Sequence, residues 1–202
     1  MTETKKQTKI FTVGHSTHEF EDFVSILKQH GVDAIADVRS VPYSRWQPQF
    51  NREDLAETLK ARGIAYVFLG EELGARSDDP QCYENGRVQY RALAETPLFQ
   101  SGIKRVQDGS RHRRIALMCA EKDPLDCHRT ILVTRELVAN GVDVAHILEN
   151  GSLEPHDETM KRLSGQLRLP AQDLFLTPEE LENRAYAEQE RRIAYVEEEA
   201  AK

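Results

Sequence analysis

The sequence predicts an α/β fold of three layers: a mostly parallel sheet of about five strands with helices on both faces, followed by a C-terminal tail helix. Three observations predict it. Short apolar runs, such as residues 115–118, lack polar alternation, which is typical of strands buried on both faces. Stretches with helical apolar spacing, such as residues 20–27, lie between these runs. Glycines such as Gly31 and Gly63 end those stretches before the next strand begins.

The same patterns predict the order of the elements. The predicted strands are residues 10–13, 34–38, 64–69, 115–118 and 142–148. Ser16 and Glu19 have the spacing of a capping box, which predicts that the first helix begins there. Residues 70–86 are rich in glycine and acidic residues and predict a surface excursion, and residues 87–109 predict two helical pieces broken at Pro97.

Residues after the fifth predicted strand differ in composition. Residues 150–170 mix turn residues with charges and have no strong period. The segment 177–180, Thr-Pro-Glu-Glu, predicts the start of a charged helix that covers residues 179–199. We therefore expect a polar arm, one α/β domain and a C-terminal extension with an acidic helix. These three parts are residues 1–9, 10–150 and 151–202.

Composition narrows the classes of protein. The formal net charge of −7 argues against a general nucleic-acid coat, because such proteins usually carry a basic excess. No apolar run approaches the roughly 20 residues that span a bilayer, and the first residues lack an apolar signal core, so we expect a cytoplasmic protein without membrane association. Three cysteines do not form a disulfide framework, so we expect free thiols, ligands or catalytic groups.

Residues that carry chemistry concentrate in the segment 119–129, between the fourth predicted strand and the helix after it. If Asp126 caps that helix, Cys127 lies in its first turn. There the helix dipole and free N–H groups favour a thiolate. We therefore predict that Cys127 is an activated thiol. The alternative is that it is a small buried residue at the start of a helix.

Three further residues complete the predicted catalytic set. Cys119 is the predicted partner or resolving thiol, although it can equally continue the apolar run before it. His15 follows the first strand, and we expect His15 or His128 to move protons. Such a set fits a thiol-dependent transferase or hydrolase.

Arginines recur where predicted strands end. Arg39 and Arg45 follow the second strand, Arg76 follows the third and Arg129 follows the fourth. In an acidic protein this pattern indicates a pocket for a small anionic or nucleotide-like substrate; the alternative is a set of surface ion pairs. The predicted substrate-binding residues are Arg39, Arg45, Arg129, Asp37, Ser16, Trp46 and Glu121.

Two other functions remain open at this stage. A binding module without catalysis would stack a nucleotide or a nucleic-acid end on Trp46 and Tyr43, with arginines on the phosphate. A metal site would use cysteines and histidines of the same region, namely Cys119, Cys127, His128 and His15. The spacing matches no recognised metal motif, so we assign no metal ligand, and the sequence identifies no cofactor. The tail helix is a candidate surface for a homodimer.

Several motifs together resemble the domain of unknown function 488 family. They are Thr12-Val-Gly-His-Ser16, Ala36-Asp-Val-Arg-Ser40 with Pro42, Ser44 and Arg45, Pro48-Gln-Phe-Asn51, the segment Cys119 to Arg129, Asp173-Leu-Phe175 and Ala194-Tyr-Val196. The resemblance implies a fold and a set of motifs and does not imply an assigned reaction.

A looser resemblance of layout is to rhodanese-like domains. These pair an Asp-Val-Arg strand with a later strand that ends in cysteine, followed by a loop and an arginine at a helix start. The segments 37–39 and 119–129 follow that order. In rhodanese-like domains this loop binds an anion through free backbone N–H groups. Here the loop contains the acidic residues Glu121, Asp123 and Asp126. The resemblance therefore does not imply transfer of sulfur or phosphate by the loop itself.

Overall fold

A computed structural model of the chain describes residues 9–170 and 172–197. It has a mostly parallel sheet with helices on both faces and a C-terminal helix, which confirms the predicted α/β class. The strands are β1 Lys9–Gly14, β2 Ala34–Asp37, β3 Ala65–Phe68, β4 Tyr83–Glu84, β5 Arg87–Val88, β6 Ile115–Cys119, β7 Asp143–Ile147 and β8 Leu153–Pro155. The α-helices are α1 Phe20–Gln29, α2 Arg52–Ala61, α3 Gly70–Leu73, α4 Tyr90–Ala94, α5 Pro97–Ser110, α6 Arg135–Ala139, α7 His156–Gln166 and α8 Pro178–Ile193.

The main sheet has six strands in the order β3-β2-β6-β1-β7-β8. All neighbours are parallel except β7 and β8, which are antiparallel. Because β2, β6 and β1 are adjacent and parallel, their C-terminal ends lie at one edge of the sheet. That edge presents Asp37, Cys119 and the residues after Gly14, so the sheet brings together side chains that are far apart in the sequence.

Each face of the sheet packs against a separate hydrophobic core. Helices α1 and α2 cover one face, where Ala116 and Met118 of β6 point. Helices α5 to α8 cover the other, which receives Ile115, Leu117 and Cys119. Strand alternation therefore places the Cys119 side chain on the α6 face. The sequence could not decide this, because every residue of β6 is buried.

The C-terminal helix begins where the sequence predicts. Thr177 accepts a hydrogen bond from the Glu180 backbone N–H, and Glu180 accepts one from the Thr177 N–H at 2.7 Å, which forms a capping box. The apolar side of α8 packs on its own domain, where Tyr186 is buried. A homodimer through this helix stays a prediction. The helix ends at Ile193 instead of residue 199; residues 198–199 lie outside the described part of the chain.

Three details of the predicted chain order were wrong. Strand β8 and helix α7 occupy part of the segment after residue 150, where a three-residue strand leaves no detectable period. The first helix begins at Phe20 without a side-chain cap, because Ser16 lies in a turn with a left-handed φ of 47°. Residues 70–86 include α3 and bury Leu73 and Cys82, so they form part of the core and not only a surface excursion.

Two other predictions concern helices. The segment 87–109 holds the two predicted helices, α4 and α5, after the short strand β5, and Pro97 begins the second helix because Thr96 caps it. In the described residues, no helix has both the length and the apolar character that crossing a lipid bilayer requires.

A buried chain of hydrogen bonds connects the sheet to the C-terminal helices. His146 Nδ1 lies 2.8 Å from the Thr12 hydroxyl, and His146 Nε2 lies 3.0 Å from His156 Nδ1. His156 Nε2 lies 2.7 Å from the Tyr186 hydroxyl. His156 is only 6% exposed. Burial lowers the pKa of His156 to about 4, and it also holds the pKa of His146 well below its usual range.

We expect this network of hydrogen bonds to make the stability of the folded protein depend on pH in the acid range. In the unfolded chain His156 takes up a proton near pH 6.5, whereas in the folded protein it does so only near pH 4. The free energy of unfolding should therefore fall by about 3 kcal/mol from this residue between pH 6.5 and 4. Urea denaturation across this pH range measures the loss. In His156→Gln the pH dependence should be shallower, whereas His112→Gln, at an exposed site, should retain it; equal slopes in all three proteins would contradict the assignment.

Candidate functional site

The loop after β6 determines where Cys127 lies. Asp123 caps a short 3-10 turn, Pro124–Asp126, through a hydrogen bond from the Leu125 N–H at 2.9 Å. Cys127 is then extended, and helical backbone begins at His128. The prediction that Asp126 caps the helix was therefore wrong, because Pro124 begins a separate turn. Cys127 itself occupies the capping position, and its sulfur accepts a hydrogen bond from the Arg129 N–H at 3.4 Å.

Two sulfurs and one imidazole form a buried cluster at the end of β6. The Nδ1 atom of His128 lies 3.7 Å from Cys119 Sγ and 3.8 Å from Cys127 Sγ. The ligand atoms of these three residues all lie within 4.8 Å of one another, so the group could hold a metal ion. The Nε2 atom of His128 lies 2.9 Å from the carbonyl oxygen of Val38 and must donate to it. The lone pair or second proton of the imidazole, on Nδ1, therefore faces the sulfurs.

The two thiols differ in acidity. Burial raises the pKa of Cys119, and the Cys127 sulfur raises it further. Burial also opposes a charge on Cys127, but the Cys119 thiol and the charges of Arg129 and His128 outweigh it and lower its pKa well below the usual range. In the same way the Cys127 sulfur outweighs burial and raises the pKa of His128. Of the two thiols, Cys127 is therefore the more acidic.

Glu121 extends the cluster toward solvent. Its side chain is 43% exposed, and its Oε2 atom lies 2.9 Å from Cys127 Sγ, so the carboxyl group and the thiol share one proton. Desolvation of the carboxylate beside the buried sulfur, followed by the charge of Cys127, raises the pKa of Glu121. The two shifts, down for Cys127 and up for Glu121, both move the shared proton from sulfur toward oxygen.

Arg129 lies beneath this loop and is fully buried. Its Nη1 donates to the Glu121 carbonyl at 2.8 Å, and its Nη2 donates to the Lys122 carbonyl at 3.3 Å. Its Nε has no hydrogen-bond partner among the described residues. Arg129 therefore fixes the backbone of the loop, and its predicted contact with substrate stays a prediction.

A second network lies at the end of β2. Arg39 forms a forked ion pair with Asp37, with Nε–Oδ1 at 2.9 Å and Nη2–Oδ2 at 2.6 Å, and its Nη2 also donates to the Phe50 carbonyl at 2.8 Å. Its Nη1 lies 3.2 Å from His15 Nε2, so His15 accepts there and donates from Nδ1 to the Ser16 carbonyl at 3.0 Å. Burial, and then the charge of Arg39, lowers the pKa of His15 to about 4. His15 is thus neutral near pH 7.

A cavity of about 260 Å³ opens beside these networks. Cys119 and His128 line it, whereas Cys127 lies behind them. Arg39 and Arg76 bring positive charge to its wall, and the Arg76 guanidinium stacks over the Tyr195 ring at 4.2 Å. The remaining lining residues are Ser40, Val41, Ala75, Tyr90, Ala120, Glu121, Asp126, Ile193 and Tyr195.

The structure thus brings together Cys119, Cys127 and His128, and the His15 backbone N–H donates to the Cys119 carbonyl at 2.9 Å. Other predicted residues lie elsewhere. Arg45 and Trp46 do not line the cavity, and Trp46 is 81% exposed. Ser16 faces the loop, where its backbone N–H donates to the Ala120 carbonyl at 3.0 Å, and Asp37 is occupied by Arg39. Contacts of these four residues with a substrate stay predictions.

Sequence reasoning missed Tyr90, Ile193 and Tyr195 as cavity residues. Tyr195 is held there because its carbonyl accepts a hydrogen bond from the Val88 N–H at 3.0 Å. The motif Ala194-Tyr-Val196 carried part of the family resemblance, and it was the one sequence signal that could have indicated this position.

Fold and site together define a parallel α/β protein with a thiol–imidazole cluster at the C-terminal edge of its sheet. A family model described as Domain of unknown function DUF488 matches residues 19–135, more than half of the chain, and the chain belongs to that family. No curated protein and no solved structure matches the chain.

Gly14 allows β1 to pass under the loop after β6. A Cβ atom at this position would lie 1.9 Å from the Glu121 carbonyl oxygen. We expect Gly14→Ala to displace the loop and to lower the free energy of unfolding by about 1–3 kcal/mol. Gly165→Ala is the matched control, because a Cβ there has no neighbour within 4 Å; it should leave stability unchanged or raise it by up to about 1 kcal/mol. Urea denaturation compares the two, and equal effects would contradict the close approach.

Asp37 should be essential for stability. It is fully buried and accepts hydrogen bonds from Arg39 and from the Tyr66 hydroxyl, the latter at 2.7 Å. Asp37→Ala leaves the buried guanidinium of Arg39 without its carboxylate partner, so we expect the free energy of unfolding to fall by about 3–5 kcal/mol. The control is Asp143→Ala, which breaks an exposed pair with Lys9 at 3.6 Å and should cost less than about 1 kcal/mol. A loss at Asp37 as small as that at Asp143 would contradict this role.

Proposed function

We propose that the protein is a thiol-dependent enzyme, a transferase or hydrolase, that acts on a small anionic substrate in the cavity beside Cys119. The observation that carries the proposal is the position of His128. Its Nδ1 atom lies within 4 Å of both sulfurs (3.7 and 3.8 Å), and its other ring nitrogen is fixed by the Val38 carbonyl. An imidazole held between two thiols at a cavity wall is an arrangement that can transfer protons to and from a sulfur nucleophile.

The roles of the two sulfurs follow from their positions. Cys119 lines the cavity and would meet the substrate, whereas Cys127 lies behind it and is the more acidic thiol, so the proposal exchanges the roles that the sequence suggested for the two cysteines. In the proposed step Cys119 Sγ forms a bond to the electrophilic atom of the substrate, and its proton passes to His128 or to the Cys127 thiolate. The leaving group departs with the electron pair of the broken bond. Water or a second substrate then takes the group from Cys119, which completes hydrolysis or transfer.

The guanidiniums of Arg39 and Arg76 support an anionic substrate, and they share the cavity wall with the carboxyl groups of Glu121 and Asp126. Arg39 has five N–H donors, and its contacts with Asp37, Phe50 and His15 use four of them. The fifth, on Nη1, remains for a ligand. Arg76 adds a second guanidinium to the same wall. The volume of about 260 Å³ suits a small metabolite and not a polymer.

Alkylation of the reduced, chelator-treated protein tests the proposal. Iodoacetate and iodoacetamide attack thiols by the same route, but only iodoacetate is an anion. We expect Cys119 to be labelled before Cys82, which is buried in the core, and we expect the iodoacetate-to-iodoacetamide rate ratio at Cys119 to exceed that of glutathione. Arg76→Gln should lower that ratio about fivefold, which corresponds to about 1 kcal/mol for a partly exposed charge. Mass spectrometry of the peptides gives the rate at each cysteine.

A matched control distinguishes the effect of charge in the cavity on the rate ratio from the effect of charge elsewhere on the surface. Arg91 is highly exposed and does not line the cavity, so Arg91→Gln should leave the ratio unchanged. Labelling of all three cysteines at one common rate would show that they react only when the protein unfolds, and the proposed enzyme would then be wrong. A preference for iodoacetamide at Cys119 would reject the anionic substrate.

A further inference from the structure

We infer that Cys119, Cys127 and His128 also form a binding site for one zinc-type metal ion, with Glu121 as the fourth ligand. The ion would replace the protons that the cluster otherwise holds. The metal site is inferred from its own geometry. Only one consequence rests on the proposed function, namely that the bound ion would prevent the thiols from reacting with substrate.

The spacing of the ligand atoms fits such an ion. Zinc binds cysteine sulfur at about 2.3 Å and histidine nitrogen at about 2.0–2.1 Å, so tetrahedral angles separate sulfur from nitrogen by about 3.6 Å. In this protein His128 Nδ1 lies 3.7 Å from one sulfur and 3.8 Å from the other. All three ligand atoms lie within 4.8 Å of one another, so one ion can reach them with little movement of the side chains.

The surroundings orient these ligands as a metal site requires. The His128 Nε2 donates to the Val38 carbonyl at 2.9 Å, which leaves Nδ1 as the ligand atom and fixes the plane of the ring. The Arg129 N–H lies 3.4 Å from Cys127 Sγ and supports a thiolate. Two thiolates and one neutral imidazole would balance the charge of a divalent ion, and the Glu121 carboxylate would then leave one net negative charge. Arg129, whose Nη1 lies 4.0 Å from Glu121 Oε2, would offset that charge and reduce the free-energy cost of burying it.

Glu121 is the candidate for the remaining position. Its Oε2 atom lies 2.9 Å from Cys127 Sγ, on the side of the cluster that borders the cavity. Zinc accepts carboxylate oxygen at about 2.0–2.2 Å. Cys119 also borders the cavity, and a sulfur that gives its electron pair to the ion cannot at the same time attack a substrate. Metal binding and the formation of an adduct at Cys119 would therefore exclude each other.

Titration of the reduced, metal-free protein with Co²⁺ tests the site, because cobalt bound by thiolates gives an intense near-ultraviolet charge-transfer band. We expect the band to saturate at one Co²⁺ per chain and Zn²⁺ to remove it at the same stoichiometry. Cys127→Ser and Cys119→Ser should each lose most of the band. Cys82→Ser is the control and should retain it. Glu121→Gln should keep the band and bind Co²⁺ at least about tenfold more weakly, the scale on which changes around a metal site act.

Either of two results would overturn the inference. No charge-transfer band with all three thiols reduced, or a band that survives loss of both Cys119 and Cys127, would exclude the site. Alkylation of Cys119 with and without Zn²⁺ then separates the two proposals. Protection by one equivalent of Zn²⁺ supports both. A Co²⁺ band in a protein whose stripped thiols do not react selectively supports the metal site and rejects the thiol enzyme, and selective reaction without a band does the reverse.

Discussion

The site depends on the hydrogen bonds that the buried guanidinium of Arg129 forms with the loop after β6. A charge without solvent contact needs compensation from polar groups, and Arg129 obtains it from the carbonyls of Glu121 and Lys122. Those contacts hold the loop after β6 over Gly14. The same residue gives its backbone N–H to Cys127 and places a positive charge near that sulfur. One side chain thereby fixes the loop and favours a thiolate, so stability and chemistry are linked at this position.

The sequence was sufficient to locate the segments that meet, but not the order of the strands in the sheet. Apolar runs and the glycines between them are local signals, and they located β1, β2 and β6. Since parallel strands end at one edge of the sheet, His15, Arg39 and Cys119 could be expected at the same edge, and only the strand order of the structure makes them neighbours. The direction of each side chain could not be predicted. All of β6 is buried, so alternation in the sequence did not show which face Cys119 takes.

Other failures have similar physical causes. Asp123 and Asp126 are both suitable caps, and only the separate turn that begins at Pro124 decides between them. An arginine at a strand end is visible in the sequence, but its partner is not. Arg39 and Arg129 bind an internal carboxylate and internal carbonyls, respectively. His156 sits in a weakly patterned segment, and its burial depends on Tyr186, which lies 30 residues further along the chain.

The cavity is built from two parts of the chain. The sulfurs and the imidazole lie within the family match, residues 19–135, whereas Ile193 and Tyr195 on the cavity wall lie beyond it. The thiol–imidazole cluster and part of the cavity wall are therefore encoded separately. In the proposed enzyme, substitutions in the final turn of α8 and the residues after it would change which molecules enter the cavity and would leave the sulfur chemistry intact. Such a division would give related chains a simple route to divergent specificity.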